Sequence, residues 1–163
     1  MVFLDAVLQG FISNSKQFGG FFDAPPAFVE RGFDEAAFHL LEGDALIFEL
    51  HGDRVVNIAG HGPQALRDTL GVEVPISDDD LRAIVIREGR PQSATIRPDS
   101  PGRWSPQEKA YSRLIGTYSV HMVALSGKGA VIGGLTVHIP GEHRFTDREK
   151  ALVQTFANQA AIA

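Results

Sequence analysis

Ala130-Val-Ile-Gly-Gly-Leu-Thr-Val-His-Ile-Pro140 is followed, after four polar or small residues, by Phe145-Thr-Asp-Arg-Glu-Lys-Ala-Leu-Val-Gln-Thr-Phe-Ala-Asn-Gln-Ala-Ala-Ile-Ala163. Val131 to Ile139 is rich in β-branched residues and predicts a strand. Pro140 and Gly141 end it. Thr146-Asp147-Arg148-Glu149 has the form of a capping box, in which the Thr146 hydroxyl accepts from the Glu149 N–H and the Glu149 carboxylate reaches back to Thr146. Leu152, Val153, Phe156, Ala157, Ala160 and Ile162 then fall on one broad stripe, so a helix follows with that face buried. The unit is strand, short polar loop, capped helix.

Working outward, Thr117 to Leu125 predicts a strand that the Ser126-Gly127-Lys128-Gly129 turn joins to Val131–Ile139 as a hairpin. Ala45–Leu50 and Val55–Ala59 predict a second hairpin around His51-Gly52-Asp53-Arg54. Ser93–Ile96 is a further short strand. Between them lies an excursion from residue 60 to 115, holding Leu66, Leu70, Ile76, Leu81, Ile84 and Trp104, which must bury against something. It carries a loop with one helical turn at 60–71. A helix over about 81–87 is expected to start at Ser77 and its acidic neighbours and to stop at Gly89. A second begins at Ser105-Pro106-Gln107-Glu108, with Ser at the cap, Pro in the first turn and Glu three residues on. Val2–Phe18 and Ala27–Leu41 read as helices flanking a Phe-, Gly- and Pro-rich link.

Strands joined by tight turns are antiparallel neighbours, with helices gathered behind them, which predicts an α+β sandwich. Val-Ile-Gly-Gly-Leu-Thr-Val, Phe145-Thr146-Asp147, Leu152-Val153 and Phe156-Ala157-Asn158-Gln159-Ala160-Ala161-Ile162-Ala163, in this order and spacing, resemble the closing signature of a GAF domain. The similarity is nearest to GAF modules of bacterial two-component sensor histidine kinases and covers roughly residues 33 to 163. It implies a GAF-like antiparallel sheet with N- and C-terminal helices on one face and the loop/helix excursion over the other. Residues 1–30 would be a helical, Phe-rich segment offering a dimer contact, and 31–163 the GAF domain.

Composition bounds the function. A hydrophobic share of 44% with 21% charged residues is that of an ordinary soluble domain, and a net charge of −5 argues against a nucleic-acid surface. No cysteine is present, which excludes disulfides, thiolate metal sites and thiol nucleophiles. No apolar run reaches the ~20 residues that span a bilayer. A cytoplasmic location is expected. The chain ends at Ala163 within an apolar helix with no C-cap signal, so that helix is expected to run on as a linker to an output domain.

Sorting strand positions by parity suggests a partly polar sheet face carrying Glu49, Asn57, Ser119, His121, Thr136 and His138. These six are the candidate ligand-binding residues: a polar floor under a mostly apolar lid describes a small-molecule pocket, and the resemblance places the family's ligand site there. His121 and His138 on neighbouring strands invite a metal or haem reading. Two histidines with no cysteine and no close carboxylate make an incomplete zinc site, so no metal is assigned and no cofactor is named. The cyclic-nucleotide-binding GAF subgroup has an Asn-Lys…Phe-x-x-x-Asp-Glu constellation of which only Phe145 and Glu149 remain, and bilin attachment would need a cysteine. Asp78, Asp79 and Asp80 read as a charged helix start rather than a catalytic set.

The expectation is therefore a non-catalytic, small-molecule-sensing regulatory domain of a sensor histidine kinase. It would be homodimeric, with the kinase output in the same chain and signalling through the terminal helices. The alternative is a dimerisation module, without ligand, of a nucleotide or diguanylate cyclase.

Overall fold

The computed structural model describes residues 43–77, 80–100 and 104–161. The helices expected at 2–18 and 27–41, the segment 1–30, and Asp78 and Asp79 lie outside the described residues. Six strands form one sheet, antiparallel at every pairing. They are β1 (Asp44–His51), β2 (Arg54–His61), β3 (Glu73–Pro75), β4 (Gln92–Ile96), β5 (Tyr118–Gly127) and β6 (Ala130–Pro140), in the spatial order β3-β2-β1-β6-β5-β4. Helices α1 (Gln64–Arg67), α2 (Leu81–Glu88), α3 (Pro106–Ile115) and α4 (Asp147–Ala160) complete the described chain. The fold is α+β, as expected, with β3 as an edge strand that sequence periodicity did not signal.

β6 occupies the centre because Gly133 and Gly134 let β1 lie close against it. They pair with Glu49 and Phe48. A Cβ added at Gly133 would run into the Phe48 carbonyl oxygen and come within 3.2 Å of Glu49 Cα. At Gly134 it would meet the Phe48 ring, 2.7 Å from Cε1. The Ile-Gly-Gly-Leu signature is thus a backbone-approach device.

The sheet buries both faces. On one, Phe48, Val55, Tyr118, Val120 and Met122 pack with Leu66, Leu81, Val85 and Tyr111 from α1, α2 and α3. On the other, Val123, Leu125, Leu135, Val137 and Ile139 pack with Phe145 and with Val153 and Ala157 of α4. Covering on both sides explains why Tyr118 to Leu125 is buried at every position.

Local chemistry sets the helix starts. The Ser105 capping box forms: Glu108 N–H donates to Ser105 Oγ at 3.2 Å, and Ser105 N–H to Glu108 Oε2 at 2.8 Å. The Thr146 box forms likewise, at 3.2 and 2.6 Å. Helix α2 begins at Leu81, but Asp80 rather than Ser77 caps it, accepting from Arg82 N–H at 2.9 Å. Ser77 instead closes the preceding turn through its carbonyl, which accepts from Asp80 N–H. Asp80 is buried and also pairs with the Arg82 guanidinium, so it is a structural ion-pair member rather than part of a solvated charge run. Gly89, at φ 63°, stops α2 in the left-handed conformation as expected.

Thr146→Ala removes the α4 cap and a second hydrogen bond, from the Thr146 hydroxyl to Glu149 Oε2. A loss of about 1–2 kcal/mol in unfolding free energy is expected, measured by urea denaturation at pH 7. A variant with wild-type stability would show that the cap contributes nothing.

Candidate functional site

A cavity of about 230 Å³ lies between the sheet and the excursion. Its floor is Leu46 and Phe48 of β1, Asn57 of β2, Tyr118 and Met122 of β5, and Thr136 and His138 of β6. Its roof is Ala65 and Leu66 of α1, with Glu108, Tyr111 and Leu114 of α3. The roof is tethered at both ends. Asn57 Nδ2 donates to Thr69 Oγ1 at 2.9 Å, and the Tyr111 hydroxyl donates to Asp44 Oδ2 at 2.5 Å.

Three of the six residues singled out from the sequence line this cavity: Asn57, Thr136 and His138. The other three do not share their face. Parity within each strand was correct; the register between strands was not. Around the Lys128-Gly129 turn, an unbroken hairpin beginning Gly127↔Ala130 would set His121 opposite Thr136 and Ser119 opposite His138. The ladder instead jumps from Ser126↔Val131 to Leu125↔Gly133, skipping Ile132, which is left exposed. That one-residue bulge turns every later pair over. Met122 faces Thr136, Val120 faces His138, and His121 and Ser119 go to the α4 side.

There, His121 Nδ1 hydrogen-bonds Ser93 Oγ at 2.7 Å, and its ring lies 5.3 Å from that of Phe145. Ser119 Oγ accepts from His143 N–H at 2.8 Å and donates to the Gly141 carbonyl at 3.1 Å, fixing the loop before α4. Glu49 pairs with Val56, not Asn57, so it too leaves the cavity face; it is exposed beside the His51 ring. The notion of a two-histidine metal or haem centre ends here as well, since His121 and His138 sit on opposite sides of the sheet. Among the described residues, no three His, Asp or Glu side chains gather to hold a metal ion.

Reasoning from sequence missed Phe48, Tyr111, Tyr118 and Arg82 as cavity residues. Phe48 alternates with Glu49 and Tyr118 with Ser119, so the mistaken register put both on the opposite face. Arg82 carried no signal.

The site is electrically quiet. Burial holds His138 down to a pKa of about 4, so its imidazole is neutral at pH 7. The Tyr111 and Tyr118 hydroxyls are pushed up by burial, and Tyr111 further by its bond to Asp44. Arg82 donates from Nε and Nη2 to Asp80 Oδ2, at 2.9 and 2.5 Å, so its charge is matched. Glu108 is raised by burial and then by the nearby Asp80, while its Oε2 serves as the α3 cap. The rings of Tyr111 and Tyr118 flank His138, with centroids 5.6 and 5.5 Å away. His138 Nδ1 is buried with no hydrogen-bond partner. Such an arrangement can hold a small molecule.

Comparison with known proteins agrees with the fold. No curated protein matches the sequence. Among solved structures, the GAF domain of a phosphoenolpyruvate-protein phosphotransferase from Coxiella burnetii superposes with a TM-score of 0.61 at 18% identity, covering 98% of this chain and 90% of that one. The GAF domain/HD domain protein from Geobacter sulfurreducens gives 0.61 at 14% identity, over 83% and 88%. The GAF domain of a two-component sensor histidine kinase from Bacillus halodurans gives 0.57 at 12% identity, over 85% and 92%. At these identities the likeness is one of fold. The GAF domain model matches residues 31–163, and the chain belongs to the GAF domain family.

Proposed function

We propose that this domain is the small-molecule-sensing input of a bacterial two-component sensor histidine kinase, located in the cytoplasm and working as a homodimer. The observation that carries the sensing part is the cavity itself, roofed by α1 and α3, with the neutral imidazole of His138 on its floor. Signalling would then require the ligand to bind two arrangements of the domain with different affinity. The roof, held through Asn57–Thr69 and Tyr111–Asp44, is the element placed to differ between them. The kinase output rests on the fold shared with the GAF domain of the Bacillus halodurans sensor histidine kinase. Among the described residues, no helix is long and apolar enough to cross a membrane.

Thermal shift against a metabolite library tests sensing. A compound at a hundred times its Kd stabilises the fold by about 2.7 kcal/mol. The expected result is at least one compound that raises the melting temperature of the wild type but not of the His138→Leu/Thr136→Val double variant. Compounds that raise both equally, or none that raise either, would sink the reading. Incubating the full-length protein with ATP and finding no phosphohistidine would sink the kinase output. Sedimentation as a monomer would remove the dimer.

A further inference from the structure

We infer that the cavity selects an uncharged, flat ligand, met on its edge by the Thr136 hydroxyl and the His138 ring; this rests on the sensing role proposed above. Thr136 and His138 are 4% and 6% exposed, and both face the cavity two residues apart on β6. Their Cα atoms are therefore about 7 Å apart along the strand, within reach of one small ring and its substituent. His138 Nδ1 is sealed off without a partner, so the ring meets the cavity through its remaining edge. By contrast, Asn57 already donates to Thr69, and both tyrosine hydroxyls already donate to protein oxygens. The Thr136 hydroxyl and the neutral His138 imidazole thus stand on the floor as uncharged polar groups beside the Asn57 amide.

Charge points the same way. The lining holds one cation, Arg82, and its guanidinium is bound on two nitrogens by the buried Asp80. An anionic ligand would find no unmatched positive charge and would face Glu108. A cationic ligand would find Glu108 already accepting from Ser105 N–H and lying near Arg82. Neither ion would recover its hydration free energy in the cavity, whereas an amide-like or lactam-like edge matches a hydroxyl and an imidazole without carrying charge inside. Phe48, Tyr111 and Tyr118 supply ring surfaces on three sides, so a planar molecule fills about 230 Å³ better than a branched one.

The test is a fragment library built on matched triplets, of which benzamide, benzoate and benzylammonium are the first, screened at pH 7.5 with the His138 ring 15N signals as readout. Benzamide-type members are expected to shift the His138 signals and to bind at least tenfold more tightly than their carboxylate and ammonium counterparts. Thr136→Val should weaken them about fivefold, the equivalent of one uncharged hydrogen bond. His138→Leu should abolish the preference while the protein stays folded by circular dichroism. Charged members binding as tightly as neutral ones would overturn the charge selectivity and leave sensing standing. Failure of every member, charged or neutral, to perturb His138 would overturn the sensing reading itself.

Discussion

Between pH 7.5 and pH 4 the domain is expected to lose about 6 kcal/mol of stability through two buried histidines on opposite faces of the sheet. Burial lowers His138 from 6.5 to about 4. Burial, and then the Lys150 charge, does the same for His121. In the unfolded chain both protonate near 6.5, so below that pH the unfolded state holds more protons and acid favours it. The stability is fully present above 6.5 and declines until pH reaches about 4, each ring contributing about 3 kcal/mol. Glu149 acts in the same direction. Its burial would raise it, but hydrogen bonds from Thr146 and the His143 partner outweigh that and hold it below the usual carboxylate range, so its share is lost at still lower pH. Glu108 acts oppositely: burial and Asp80 raise it, so protonation on acidification relieves part of the strain of charge. Since folded domains of this kind are stable by about 5–15 kcal/mol, the histidine loss alone approaches unfolding. Urea titrations at half-unit pH intervals check it. His138→Leu should flatten the curve by about half, because Leu carries no proton in either state. A stability that stays level from pH 7 to pH 4.5 would show that both rings are protonated in the folded protein.

The legible part of this structure was what short-range chemistry controls. Ser105 and Thr146 announced their helices because a cap and its acidic partner lie within one turn, and both boxes formed. The turns at Gly52 and at Lys128-Gly129 were readable because they need positive φ, which Gly52, Lys128 and Gly129 adopt. What eluded the sequence was register. Residues 118–125 are buried on both faces, so no apolar-polar alternation marks which side meets the cavity. A bulge skipping Ile132 then decided it, and carried Ser119 and His121 to the α4 side while leaving Met122 and Val120 beside Thr136 and His138. Asn57 lies on the cavity face and Glu49 on the other, for the related reason that the hairpin pairs Asn57 with Phe48 and Glu49 with Val56. Asp80 was legible as a helix-start residue but not as the buried partner of Arg82, a pairing that depends on how α2 docks on the sheet.

Gly133→Ala is expected to destabilise the domain by about 3 kcal/mol, at the upper end for overpacking, although it adds a single methyl group. The obstacle is backbone. The new Cβ would overlap the Phe48 carbonyl oxygen and lie 3.1 Å from the Phe48 carbonyl carbon. Relief therefore requires β1 to move off β6, and β1 is held there along six residue pairs from Asp44↔His138 to Glu49↔Gly133. Gly134→Ala meets a side chain instead, the Phe48 ring, which can swing where a carbonyl cannot. Its cost should be smaller, about 1–2 kcal/mol, but its consequence for function greater. Phe48 lines the cavity, and the room for its ring to move is the cavity itself. The two adjacent substitutions should thus separate: Gly133→Ala lowers the urea midpoint most, and Gly134→Ala keeps most of its stability while losing ligand-induced thermal shifts. Equal destabilisation by both, with ligand response intact in Gly134→Ala, would show that the Phe48 carbonyl is no harder an obstacle than its ring and that the ring does not yield into the cavity.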